Sequence, residues 1–369
     1  MSALGFPVVD ADGHVQELNI DWAARIAPAV RDRAPRVVPD NRGFPRLLAE
    51  GKLWPKPEGR GTGQAGGPRS RRPAETTGMH DPVRRLQDMD LEGIDLAVLF
   101  GTSVFLSLPF FDDAELAAAT ARVYNDWLAE YCAADPMRLK GVALVPIQDP
   151  PAAVEELRHA VRDLGFVAVG TPAHSGGRNL DDPALDPFFA EAERLGVPVC
   201  VHVGAGRPAA AADRFTNAYM VHVVTHAFEQ MIAALCVVSG GVLERHPSLR
   251  VAFLEAGAGW VPYWIERLDE HYEYMQPCVP WLTREPGAYM RSAQCYYSFE
   301  PDERTLPWVL GMLGEERVVF ASDYNHSDCK FPNTVRAMVE RDDLSLAQKR
   351  KLMCDNALRL YGLAVPAAR

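Results

Sequence analysis

Asp12, Gly13 and His14 follow directly on the apolar run Phe6-Pro7-Val8-Val9. Side chains alternate along a strand, so a carboxylate and an imidazole two residues apart at its end face the same way. Together they offer half of a divalent-metal site. Three later apolar runs deliver matching residues just past their ends. These are His202 after Val197-Pro198-Val199-Cys200-Val201, Glu255 after Val251-Ala252-Phe253-Leu254, and Asp323 after Val318-Val319-Phe320-Ala321. Histidine nitrogen and carboxylate oxygen suit Zn²⁺, Mn²⁺ or Fe²⁺, and a set without cysteine points to an open catalytic site rather than a structural one. Taken singly, Asp12 reads as a helix cap, His202 as a core histidine and Asp323 as a turn cap before Asn325 and His326. Repetition of ligand types at separate strand ends weakens those ordinary readings together.

The elements that must position these residues alternate regularly from residue 81 onward. Asp81 can cap a helix running to Glu92, with Pro82 at its first position and Val83, Leu86 and Met89 in helical repeat. Ile94–Phe100 is then a strand. Further helix–strand pairs follow: 112–134 with Leu139–Val145, 151–164 with Phe166–Val169, 183–195 with Val197–Val201, and 218–244 with Leu249–Leu254. A helix over 263–274 leads to Cys295–Phe299, one over 303–313 leads to Arg317–Ala321, and 332–340 and 345–360 close the chain. Counting the Val8-Val9 run, about eight short strands with both faces apolar alternate with amphipathic helices, the pattern of parallel α/β architecture. Eight units favour a closed (β/α)₈ barrel, whose active sites gather at the C-terminal strand ends. The doubly wound alternative lacks a G-x-G-x-x-G after the first strand. The segment 54–78, rich in Gly, Pro, Arg and Ser, reads as a flexible insert, either a surface loop or a lid over the barrel mouth.

Composition narrows the partners. A formal charge of −11 argues against nucleic acid or an anionic membrane surface. Seven scattered cysteines without a C-x-x-C pair read as a reduced, cytoplasmic protein. The N-terminus shows no basic region followed by an apolar core, and no uncharged apolar run approaches the roughly 20 residues a spanning helix needs.

Five pieces carry a resemblance: Val9-Asp10-Ala11-Asp12-Gly13-His14, Val201-His202, Gly240-Gly241-Val242-Leu243-Glu244-Arg245-His246-Pro247, Glu255-Ala256-Gly257-Ala258-Gly259-Trp260 and Ser322-Asp323-Tyr324-Asn325-His326. Together they resemble the amidohydrolase-related family, in the branch holding aminocarboxymuconate semialdehyde decarboxylase and the aromatic-acid decarboxylases. The resemblance implies a distorted TIM barrel with insertions, one domain over 1–369, and one divalent metal ion held by Asp12, His14, His202 and Asp323. Zn²⁺ is expected, with Mn²⁺ the alternative. It also implies a homodimer acting on a small organic acid.

Two positions depart from the family. Its first-strand pair is often two histidines, or a glutamate with a histidine, where this chain has Asp12. Its aromatic-acid decarboxylases usually place a catalytic histidine after the sixth strand, where this chain has Glu255. Glutamate can carry a proton if burial raises its pKa, but it is no substitute for a neutral imidazole; orienting a metal ligand is its other reading.

His222 and His226, four apart on a helix, share a face, and His226 is a candidate for catalysis or substrate contact. His326 is expected to bind substrate or orient Asp323, and Arg207 to pair with a substrate carboxylate. His246 is expected in an exposed turn. The expected reaction is removal of CO₂ from an aromatic or unsaturated acid, with Asp323 or Glu255 delivering the proton. Its rival is hydrolysis of an amide, lactone or C–C bond by metal-activated water, with Asp323 as general base. A non-catalytic binding barrel would show missing ligands, and here every position holds a competent residue.

Overall fold

Eight short parallel strands form one sheet whose spatial order follows the chain. They are β1 Val9–His14, β2 Leu96–Phe100, β3 Leu139–Leu144, β4 Ala168–Thr171, β5 Val199–Val201, β6 Val251–Phe253, β7 Cys295–Phe299 and β8 Val318–Phe320. The computed structural model describes residues 4–63, 78–202, 212–326 and 329–366. Every strand residue except Lys140 is buried, which explains why the strands read as apolar runs rather than alternating ones.

The sheet curls until its two edges meet, as a distorted TIM barrel requires. The seam is bonded just beyond β8: Asp323 N donates to Asp12 O at 3.1 Å, and His14 N donates to Tyr324 O at 2.8 Å. The edges therefore join where two expected ligands lie.

The outer layer carries α1 Pro82–Glu92, α2 Ala114–Cys132, α3 Pro150–Arg162, α4 Asp186–Leu195, α5 Ala218–Ser239, α6 Trp260–Met275, α7 Leu306–Leu313 and α8 Asn356–Tyr361. Asp81 caps α1 by accepting from Val83 N and Arg84 N. By length and composition α5 could cross a membrane, yet half of its most apolar stretch is buried inside the protein, as befits a barrel helix.

Several expectations need correction. The helix expected over 218–244 breaks at Gly240-Gly241, where Gly241 adopts φ 78°, and Val242–Arg245 forms a separate turn. The closing helix expected over 345–360 is interrupted by a π-helical turn at Lys351–Asp355. His246 is buried, with Asp186 Oδ1 at 3.1 Å and Glu193 Oε2 at 3.4 Å, so it ties α4 to the turn before β6 rather than facing solvent. An unexpected three-stranded antiparallel sheet, Arg36–Pro39, Pro45–Ala49 and Lys52–Trp54, lies between β1 and α1. The expected insert begins at the end of this sheet; its residues 64–77 lie outside the described residues.

Candidate metal centre

The first strand delivers its two candidate ligands, Asp12 and His14, through a bulge. Asp10 pairs with Ala97 of β2 and Gly13 with Leu99, so β1 spends one residue more than its partner between those points. A bulge re-aims side chains, here at the C-terminal mouth. Gly13 is required within it, because a Cβ there would stand 2.5 Å from both Arg85 Nη2 and Asp10 Oδ2.

His202 follows β5, with its ring stacked on Phe100 at 5.3 Å and met edge-on by Phe105 at 5.6 Å. Glu255 and Asp323 follow β6 and β8 with φ of 59° and 49°. Non-glycine residues in the left-handed region cost free energy, and such strain gathers at functional sites. Both turns aim a carboxylate into the mouth.

The donors converge. Asp12 Oδ1 lies 3.5 Å from His14 Nε2 and 3.5 Å from His202 Nε2. Asp323 Oδ1 lies 3.4 Å from His14 Nε2, and Glu255 Oε2 lies 3.2 Å from His202 Nε2. His14 Nδ1 donates to Gly101 O at 3.2 Å, which turns the Nε2 lone pair toward the two aspartates. A lone pair facing carboxylate oxygens repels them unless a cation stands between. Burial, helped by the neighbouring His326 and His202, holds the His14 pKa well below the usual imidazole value, so a proton does not fill that role. Asp12 Oδ1 and His14 Nε2 are buried and have no hydrogen-bond partner among the described residues. Burial also pushes the Asp12 carboxyl up, against the pull of His202. Two overlapping sets of these residues could each hold a metal ion: Asp12 with His14 and His202, and His14 with Glu255, Asp323 and His326. Within each set the ligand atoms lie within 4.8 Å of one another, and His14 is common to both. The residues present fit a divalent cation.

His326 stacks on His14 with centroids 4.0 Å apart. Its Nδ1 lies 2.6 Å from Asp323 Oδ1 and 3.4 Å from Glu255 Oε1. Its Nε2 lies 3.2 Å from Thr102 Oγ1, whose own proton goes to Val15 O at 2.8 Å. Thr102 therefore accepts from Nε2, while Nδ1 faces carboxylates. Both nitrogens carry protons. Burial opposes the charge, but Asp323 and Glu255 outweigh it and raise the His326 pKa well above the usual value.

His226 and His222 do share a face of α5, their rings stacked at 3.8 Å. His226 donates from Nδ1 to His222 O at 2.9 Å, and burial pushes it down to about 4, against the attraction of Glu255. It is neutral near pH 7. Arg207 lies outside the described residues. Sequence reasoning missed Thr102, just past β2, and Arg85, whose Nη1 donates to His14 O at 2.7 Å. A polar residue after an apolar strand was the available signal for Thr102. Arg85 left none, since its partners are distant in sequence.

The amidohydrolase family model matches residues 9–363. The chain belongs to the amidohydrolase family. Within it, the chain is 31% identical over 297 residues to gamma-resorcylate decarboxylase of Rhodococcus jostii, covering 76% of this chain and 87% of that protein. It is 28% identical over 289 residues to 2-amino-3-carboxymuconate-6-semialdehyde decarboxylase of Dictyostelium discoideum, covering 77% of each. In three dimensions this amidohydrolase is similar to 5-carboxyvanillate decarboxylase of Novosphingobium aromaticivorans, solved with manganese and 4-hydroxy-3-methoxy-5-nitrobenzoic acid. The TM-score is 0.73 and the identity 23%, over 98% of both chains.

Proposed function

We propose that this amidohydrolase is a metal-dependent carboxy-lyase that removes CO₂ from a small aromatic carboxylic acid. One observation carries the reading: donors from Asp12, His14, His202 and Asp323 meet at the barrel mouth of a chain 31% identical to gamma-resorcylate decarboxylase. A divalent ion held by these four residues would supply a positive charge that engages the substrate carboxylate and a neighbouring oxygen.

Exposure tells where the substrate enters. The side chains of Asp12, His14 and His202 are 2%, 1% and 0% exposed, whereas Asp323, Glu255 and His326 are 12%, 15% and 19% exposed. The acid therefore approaches across the Asp323–Glu255–His326 edge. There His326 and Asp323 share a proton at 2.6 Å, on the side from which the ring would come. Transfer of that proton to the ring carbon bearing the carboxylate breaks aromaticity. The C–C bond to the carboxylate then breaks, CO₂ leaves, and the electron pair restores the ring. Neutral His226 offers Nε2 to a substrate hydroxyl, and Arg207 remains the proposed partner for a carboxylate.

Hydrolysis is a second reading, favoured by Glu255 at the position where the family's aromatic-acid decarboxylases place a histidine. Incubation of the metal-loaded protein in ¹⁸O-water with hydroxybenzoic acids and, separately, with their amides and lactones separates the two. Release of CO₂ with no label in the aromatic product supports the lyase; labelled product without CO₂ supports the hydrolase.

We further propose a cytoplasmic homodimer. Seven free cysteines and the exposed α5 side chains Tyr219, Met220, Val223 and Phe228 support it, and light scattering on the purified chain tests the dimer.

A further inference from the structure

We infer that Glu255 is a fifth ligand to the ion held by Asp12, His14, His202 and Asp323, rather than a carrier of protons. This rests on the metal-centre reading above.

Donors bound to one ion must keep a characteristic separation. At bond lengths near 2.0–2.2 Å, right-angled donors stand roughly 2.8–3.1 Å apart and tetrahedral ones roughly 3.3–3.6 Å apart. From Asp323 Oδ1 to His14 Nε2, on to Asp12 Oδ1, His202 Nε2 and Glu255 Oε2, the successive separations are 3.4, 3.5, 3.5 and 3.2 Å. Glu255 Oε2 lies at a like distance from His202 Nε2, and Glu255 falls in one possible metal-holding set with His14, Asp323 and His326, their ligand atoms within 4.8 Å of one another.

Asp323 and Glu255 are also built alike. Each follows a barrel strand in left-handed backbone, at φ 49° and 59°, and each sets an oxygen against the Nε2 of a ligand histidine. Ser298 Oγ fixes the Glu255 turn by accepting from Glu255 N at 2.9 Å. His326 Nδ1 braces the outer side of both carboxylates. His326 is itself no ligand to this ion: its 2.6 Å approach to Asp323 Oδ1 is a hydrogen-bond distance, shorter than two donors on one ion allow.

Five protein donors, three of them carboxylates, exceed a tetrahedral shell that must keep a position open for substrate. They suit an oxygen-seeking ion of higher coordination number, Mn²⁺ ahead of Zn²⁺.

A crystal structure of the full chain loaded with Mn²⁺ reads the shell directly. One ion is expected, with Glu255 Oε2 at bonding distance, about 2.0–2.4 Å. An ion with Glu255 Oε2 beyond about 3 Å, the spacing of donors rather than of bonds, overturns the inference. So does a second ion bound between Glu255 and His326. In solution, Glu255→Gln should weaken Mn²⁺ binding at least about tenfold. It should also change the visible d–d spectrum of the Co²⁺-substituted protein, which responds to the number of ligands. An unchanged Co²⁺ spectrum in a folded, Co²⁺-saturated variant counts against ligation, even if affinity falls. These readouts are independent of turnover, so a five-donor ion in a protein that releases no CO₂ would sink the reaction and leave the ligand intact.

Discussion

Arg85 donates from Nη1 to the main-chain carbonyl of His14 at 2.7 Å, 71 positions away along the chain. The same guanidinium lies 4.1 Å from the ring of Tyr324, the residue after Asp323, and its Nη2 faces Asp10 Oδ2 at 3.8 Å. Asp10 in turn accepts from Ser322 N at 2.8 Å and from Ser322 Oγ at 2.5 Å. One buried cation thus fastens the backbone on both sides of the barrel seam, beneath two candidate ligands contributed by different strands.

Arg85→Met leaves the Asp10 carboxylate buried without its cation, and should cost about 3–5 kcal/mol of stability. Arg85→Lys restores the charge but not the planar fork that reaches His14 O and Asp10 together. It should recover much of the stability while Mn²⁺ affinity stays depressed about tenfold or more. Denaturant melts and Mn²⁺ titrations on the two variants check this. Wild-type affinity in Arg85→Lys would show that the fork does not position the ligands.

His326→Gln tests the proton carrier. The variant should keep its metal, since the proposed shell does not include His326, while kcat falls by about 10²–10⁴. Metal analysis alongside kinetics decides it. Parallel loss of ion and activity would place His326 in the coordination shell instead.

Glu92 gives a pH signature away from the site. Burial pushes its carboxyl from the ordinary 4.5 up to about 7, although Val335 N donates to it at 2.7 Å. A raised carboxyl binds its proton more tightly folded than unfolded. Its stabilising contribution is therefore complete below about pH 4.5 and is lost as pH rises through about 7. Glu92→Gln keeps the acceptor for Val335 N and carries no such loss. Its Tm relative to wild type should therefore be higher at pH 8 than at pH 5; equal differences at both pH values would contradict the assignment.

Metal removal should expose the repulsion among the buried donors. Dialysis against a chelator should abolish activity and lower Tm. Adding Mn²⁺ at about a thousandfold over its Kd should return about 4 kcal/mol. A Tm that ignores Mn²⁺ would mean that the donors are satisfied without it.

The strand-end residues were legible because a barrel strand buried on both faces is an apolar run, and chemistry begins where that run stops. Asp12, His14, His202, Glu255, Asp323 and His326 all stand at such places, and Cys295–Phe299 was read to the residue. The 36–54 sheet was hidden because its first strand is only partly buried and its prolines resemble turn signals. His246 read as a turn residue because its partners, Asp186 and Glu193, lie 60 and 53 positions earlier. Arg85 and the Asp10–Ser322 clamp were invisible for the same reason: the clamp spans 312 positions. Residues that brace the candidate site are set by tertiary contact, whereas the candidate donors themselves sit at strand ends.

The most direct test of the central claim is turnover of a hydroxybenzoic acid ¹³C-labelled in its carboxyl group, in D₂O, with and without Mn²⁺. The account predicts Mn²⁺-dependent release of one ¹³CO₂ per product molecule, with deuterium on the ring carbon that held the carboxylate. A product that keeps its ¹³C carboxyl, or CO₂ release that persists after the metal is stripped, would contradict it.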